Sequence, residues 1–133
     1  MRTIKFRGYS KDFTENEWFF GNLIDKGNGS FQILEKDPKI WYLSYDGIEV
    51  LPESIGQFTG LPDKNGKEIY EGDINQFGYV IKYCKEKALF GEYGTRNGID
   101  YDILMSYPID SKSQIIKGNI YENPELLEKK FTT

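Results

Sequence analysis

No histidine occurs anywhere in the 133 residues. That removes the commonest general base near neutral pH and the commonest metal ligand, and with them Ser-His-Asp and Cys-His catalysis. Cysteine is nearly absent too. The single Cys84 permits no intrachain disulfide and no cysteine-built metal site. Lys85 and Lys87 beside it would lower a thiol pKa, yet with no base or resolving cysteine an inert residue is the plainer reading. No apolar run approaches the roughly 18–20 residues of a membrane span. The opening Met1-Arg2-Thr3-Ile4-Lys5-Phe6-Arg7 lacks the apolar centre of a signal peptide. These absences point to a soluble chain working in a reducing cytoplasm.

A basic surplus is also missing. There are 17 Lys and Arg against 21 Asp and Glu, a formal charge of −4. Residues 1–55 hold seven basic and nine acidic side chains, and residues 56–133 hold ten and twelve, so neither half is a basic arm. Phosphate contacts dominate nucleic-acid affinity, which makes nucleic acid the less favoured partner. Arg2, Lys5 and Arg7 read as a solvated strand face.

What the chain does have is aromatic rings and turns. Two Trp, ten Tyr and nine Phe stand beside 14 Gly. Aromatic and β-branched residues favour strands, and Gly with Asn favours tight turns. Residues 2–7 alternate as a half-buried strand. Glu17 to Ile24 reads as a second strand with a bulge at Gly21. Lys26-Gly27-Asn28-Gly29-Ser30 turns the chain into Phe31 to Leu34 as a hairpin. Strands follow at Ile40–Ser44 and at Ile48–Leu51, and Pro52 opens one helical turn that Gly56 ends. Pro62 and Asn65-Gly66 close a turn between Gln57-Phe58-Thr59 and Lys67 to Tyr70. Glu71-Gly72-Asp73 is another turn, and a longer run begins at Ile74 and continues through Phe77, Val80, Ile81 and Tyr83. Cys84 to Phe90 fits either a short helix or the ascent of a hairpin. Ile99–Met105 and Gln114–Tyr121 read as the last strands, and Asn123-Pro124-Glu125 starts a C-terminal helix near 123–130. Many short strands at roughly 8–12-residue intervals indicate a mainly β barrel or sandwich. The expected organisation is one domain over 1–133, with an N-terminal strand sub-unit at 1–51 and a core at 56–122.

Two blocks stand out. Gly56-Gln57-Phe58-Thr59-Gly60-Leu61-Pro62-Asp63-Lys64-Asn65-Gly66-Lys67-Glu68-Ile69-Tyr70-Glu71-Gly72-Asp73-Ile74 resembles the signature of the YopX family. Gly118-Asn119-Ile120-Tyr121-Glu122-Asn123-Pro124-Glu125-Leu126-Leu127 is similar to that family's closing motif. Ile4 to Arg7, Trp18 to Leu23 and Val50-Leu51-Pro52 resemble its N-terminal pattern. The likeness runs from about residue 2 to residue 127, and residues 84–114 carry none of its motifs. It implies a small SH3-type barrel with additional N-terminal strands, and a phage or prophage origin inside a bacterial host. It brings no catalytic, metal or cofactor residues, because the family has no established activity.

Glu68, Glu71, Asp73, Glu122 and Glu125 lie in the two blocks. Clustered carboxylates bind Mg²⁺ for hydrolysis in other proteins, but no Lys or His here completes such a centre, and Asp73 and Glu125 have ready backbone roles. No catalytic, metal or cofactor site is assigned. Most of the aromatics Trp18, Phe19, Phe20, Trp41, Tyr42, Phe58, Tyr70 and Tyr121 are expected in the core. In the runs Trp18-Phe19-Phe20 and Trp41-Tyr42, however, neighbours on a strand face opposite sides, so one of each adjacent pair points away from the local sheet face, toward a second layer or a partner. The turns account for Pro62, Asn65, Gly66, Gly72 and Asp73. They leave Gln57, Thr59, Glu68 and Glu71, which with Tyr70, Trp18 and Trp41 form the candidate interaction surface. The expected role is a non-enzymatic accessory protein that binds a phage or host protein, with self-association as a variant. A nucleic-acid-associated module is the alternative and a metal-dependent hydrolase the least favoured.

Overall fold

A computed structural model describes residues 3–10, 17–35, 47–96, 99–102 and 109–129. The architecture is mainly β, with antiparallel strands in two sheets and, among the described residues, a single α-helical turn. The chain divides into two compact units, Met1–Phe58 and Thr59–Thr133, and the division falls inside one strand.

In the first unit, β1 (Phe6–Ser10) and β2 (Glu17–Asp25) are antiparallel, with Phe6 opposite Gly21 and Tyr9 opposite Trp18. β3 (Phe31–Leu34) pairs with the far half of β2, from Asn22 to Asp25. β2 thus changes partners between Gly21 and Asn22. Gly21 is not a bulge, since it keeps register with Phe6. It is there for room: a Cβ would sit 2.2 Å from the Leu34 carbonyl oxygen. β4 (Ile48–Val50) pairs with β3. The meander then curls back on itself, because the Leu51 N–H donates to the Tyr9 carbonyl at 2.9 Å. Pro52–Ser54 form the expected turn, as a 3-10 helix, and Ser54 Oγ accepts the Tyr9 N–H at 2.8 Å. β5 (Gly56–Pro62) starts in this unit, with Gly56 and Gln57 beside Arg7 and Phe6. Phe19, Ile33, Ile48 and Val50 make the core, supported by Phe6, Leu23, Phe31 and Ile55.

In the second unit, the end of β5 leads through the Asp63–Gly66 turn to β6 (Glu68–Tyr70). Pro62 therefore ends a strand rather than forming the turn. β7 (Asp73–Asn75), β8 (Val80–Cys84), β9 (Leu89–Arg96), β10 (Ile99–Asp102) and β11 (Ile116–Asn119) form a sheet of order β10-β9-β8-β7-β11. The single run expected from Ile74 to Tyr83 is two strands. Asn75 breaks it by accepting the N–H groups of Phe77 and Tyr79 on its side-chain oxygen, both at 3.0 Å, with Gly78 at φ +79. Cys84 to Phe90 is a hairpin, Cys84 lying opposite Leu89. A 3-10 turn covers Ser111–Ser113 and α1 covers Leu126–Lys129. Ile69, Ile81, Ile109 and Ile116 form the core, with Leu61 and Phe90 packed against it.

β10 and β11 are separate edges of this sheet, so among the described residues it does not close into a barrel. The strand expected at 40–44, the end of that at 99–105 and Trp41 lie outside the described residues. So do Arg2, Tyr42 and Lys130. Among the described residues no helix is long and apolar enough to cross a membrane.

Candidate functional site

The two dense sequence blocks meet in the second unit. β7 and β11 are neighbours, with Asp73 opposite Asn119, Ile74 opposite Gly118 and a bulge between Ile116 and Gly118. The Ile120 N–H donates to the Gly72 carbonyl at 2.9 Å, and the Gly72 N–H donates to Ile81 at 2.8 Å. Four polar side chains of these blocks, Asp63, Asp73, Asn119 and Asn123, accept main-chain N–H groups. Asp63 is 6% exposed. Its Oδ1 accepts the Asn65 and Lys67 N–H groups at 2.8 and 2.9 Å, and its Oδ2 accepts the Ile116 N–H at 3.0 Å, 53 residues away. Burial by itself would raise the Asp63 pKa, but the N–H groups of Ile116, Lys67 and Asn65, with the Lys67 charge, outweigh it and bring the pKa below the ordinary aspartate value. Asp73, fully buried, accepts the Tyr70 N–H at 2.7 Å.

The closing block works the same way. Asn119 Oδ1 accepts the N–H groups of Tyr121 and Glu122 at 3.0 and 2.8 Å, and Asn123 Oδ1 accepts the Asn119 N–H at 3.2 Å. Glycine at 118 leaves room for the Asn123 and Leu126 side chains, which an added Cβ would push aside. Asp63, with three main-chain donors on its two oxygens, has few lone pairs left for a metal. Among the described residues no three His, Cys, Asp or Glu are placed to hold a metal ion.

A model of the family described as YopX protein matches residues 5–128. The chain belongs to the YopX family. The crystal structure of protein EF1440 from Enterococcus faecalis is 26% identical, with 96% of this chain and 99% of that chain covered and a TM-score of 0.46. No curated protein matches. Four residues of the two blocks, Asp63, Asp73, Asn119 and Asn123, act as backbone clamps in this chain.

The sequence-derived surface residues are scattered. Gln57 and Trp18 belong to the first unit, and Thr59, Glu68, Tyr70 and Glu71 to the second. Thr59 Oγ1 accepts the Leu61 N–H at 3.2 Å. Tyr70, 2% exposed, donates its hydroxyl to Glu68 at 2.9 Å. Tyr70 is therefore core, and Glu68 is its partner. Glu71 is half-buried in its turn, and Gln57 is half-buried opposite Phe6.

The aromatic expectation also needs correction. Phe19 and Tyr70 are buried, but Trp18, Phe58 and Tyr121 are only half-buried and Phe20 is 41% exposed. Isoleucine and valine fill the cores, which frees rings for the other face. On β1 and β2 that face carries Arg7, Tyr9, Trp18 and Phe20, as their register requires. Trp18 meets Tyr9 edge to face at 5.2 Å. The Arg7 guanidinium lies 4.8 Å over the Trp18 ring, and Lys5 Nζ lies 5.2 Å from the Phe58 centroid. Arg7 is buried, contrary to the solvated face expected for it, because stacking on Trp18 shields the weakly hydrated guanidinium.

A buried polar cluster was invisible in sequence. Asn75 Nδ2 donates to Glu92 Oε1 and, at 3.0 Å, to Gln114 Oε1, while Gln114 Nε2 donates to the same Glu92 oxygen at 3.1 Å. All three are buried. Their separations of 17, 39 and 22 residues leave no local signal. Glu92→Ala is expected to cost about 2–3 kcal/mol, because it removes the acceptor of two buried amide hydrogen bonds, from Asn75 and Gln114. Glu92→Gln, which keeps an acceptor oxygen, should cost less. Urea denaturation of both variants measures the difference.

Proposed function

We propose that this YopX protein is a non-enzymatic accessory module of phage or prophage origin that binds a protein partner inside the bacterial cell. The contact would be the aromatic face of β1, β2 and the start of β5. The observation that carries this is Phe20, 41% exposed beside Trp18 and the Arg7 stacked on it. Trp, Tyr and Arg are the residue types on which binding energy concentrates, and an exposed ring in such company suits an interface. The non-enzymatic reading is supported by the absence of histidine and by the use of Asp63, Asp73, Asn119 and Asn123 as main-chain acceptors. It does not depend on closure of an SH3-type barrel.

Phe20→Glu tests it. An exposed site tolerates the change, so thermal unfolding should shift little. Affinity for a partner captured with the wild-type protein from prophage-carrying cells should fall about 30-fold or more, as for loss of a central anchor. A partner held equally by both proteins, or an inert monomer with no partner, would overturn the reading.

One observation favours nucleic acid as a second reading. Lys5 and Arg7 share a face with Phe58, Trp18 and Phe20, and single strands use such cation-and-ring surfaces. Fluorescence anisotropy with a labelled single-stranded oligonucleotide separates the two. Binding that weakens steeply with salt and is lost in Phe20→Glu would favour nucleic acid; no binding at low salt would exclude it.

A further inference from the structure

We propose that Asn28-Gly29, in the β2–β3 hairpin, is a self-modification site at which Asn28 deamidates with Ser30 assisting. Three Asn-Gly pairs occur in the chain, at 28–29, 65–66 and 97–98; the last lies outside the described residues. In the reaction the Gly29 amide nitrogen gives its proton to water or hydroxide and attacks Asn28 Cγ. A new N–Cγ bond forms, the Cγ–Nδ2 bond breaks, and Nδ2 leaves as ammonia after taking up a proton. Water then opens the cyclic imide to aspartate or isoaspartate. Nothing is oxidised or reduced.

The two described pairs are exposed and glycine-ended alike, with Gly29 at φ +88 and Gly66 at φ +86 and no atom within 4 Å of either added Cβ. They differ in what surrounds the reacting atoms. Among the described residues the Gly29 N–H has no hydrogen-bond acceptor, so its nitrogen is available. The Gly66 N–H donates to the Asp63 carbonyl at 3.0 Å, so its nitrogen is held. The electrophile differs as well. Asn28 Oδ1 accepts the Ser30 hydroxyl at 2.6 Å and the Ser30 N–H at 3.1 Å. Two donors on that oxygen stabilise the oxyanion that forms when nitrogen adds, in the manner of an oxyanion hole. Bonds to a charged oxygen are the stronger ones, so the donors favour the tetrahedral state over the resting amide.

The test incubates the intact protein at mildly alkaline pH and follows each Asn-Gly peptide by mass spectrometry, with isoaspartate assayed separately. Asn28 is expected to convert about tenfold faster than Asn65, the rate equivalent of one hydrogen bond. Ser30→Ala removes the hydroxyl donor and should slow Asn28 by a similar factor while leaving Asn65 unchanged. Ser30 lies in an exposed turn, and circular dichroism checks that the variant is folded. Equal rates at Asn28 and Asn65, or a Ser30→Ala protein that converts Asn28 as fast as wild type, would overturn the proposal.

Discussion

Replacing Asp63 by alanine is expected to destabilise the protein by about 4 kcal/mol, as charge-assisted hydrogen bonds are lost and one buried donor, the Ile116 N–H, is left unmet. Three N–H groups lose their acceptor together: those of Asn65, Lys67 and Ile116. The first two fix the turn between β5 and β6. The third ties that turn to β11, so the loss is felt at both ends of the second unit. Asp63→Asn keeps one acceptor oxygen and should cost about half as much. The pH dependence follows from the direction of the shift. The folded-state pKa of Asp63 lies below its ordinary value, so the unfolded chain takes up the proton first as acid is added. The stabilisation from the charge is whole above about pH 4 and is lost as pH falls through the folded-state value. The stability gap between wild type and Asp63→Asn should therefore narrow on acidification and stay constant on going alkaline. Urea midpoints over a pH series measure it. A gap that widens in acid would contradict the assignment.

Gly21→Ala should cost about 3 kcal/mol, the upper end for overpacking. The new methyl would meet the Leu34 carbonyl oxygen and Glu35 Cα, which are backbone atoms and do not swing aside. The collision falls where β2 passes from β1 to β3, so relief would pull β3 off its partner. Gly27→Ala is the control. Nothing lies within 4 Å of its Cβ and its φ is +81, so it carries only the left-handed backbone penalty of about 1–2 kcal/mol. Equal losses in the two variants would show that crowding at Leu34 is not the reason for glycine.

Local chemistry made much of this fold legible. Asn65-Gly66 and Glu71-Gly72-Asp73 mark turns because few residues accept their backbone angles or supply their acceptors, and the structure has turns at both, whereas the helix expected to start at Asn123 begins only at Leu126. The hairpin at 26–30 and the single turn at Pro52 were equally plain. What could not be read depends on distant pairs. Gly21 suggests a bulge when only its own strand is considered; its purpose appears once Leu34 stands beside it. Ile74 to Tyr83 looks like one run, since the hydrogen bonds from Asn75 that split it leave no hydrophobic signature. The same holds for the candidate surface. Glu68 and Tyr70 were grouped as available side chains, yet they bond to each other. Arg7 reads as a solvated cation and Phe20 as one of the rings expected mostly in the core, and the register of β1 with β2 puts them on one face.

The amide protons of Tyr70, Ile116, Tyr121 and Glu122 report most directly whether the YopX signature residues clamp the fold or line a site. Each is bonded to a side-chain oxygen from one of the two blocks: Asp73, Asp63 and, for the last pair, Asn119. If those side chains are structural, hydrogen exchange at all four should be slow, opening only with the unfolding of the second unit, as in the most protected part of a sheet. Exchange at the unprotected rate, while the paired amides of β8 and β9 stay protected, would show that these side chains are not held to the backbone.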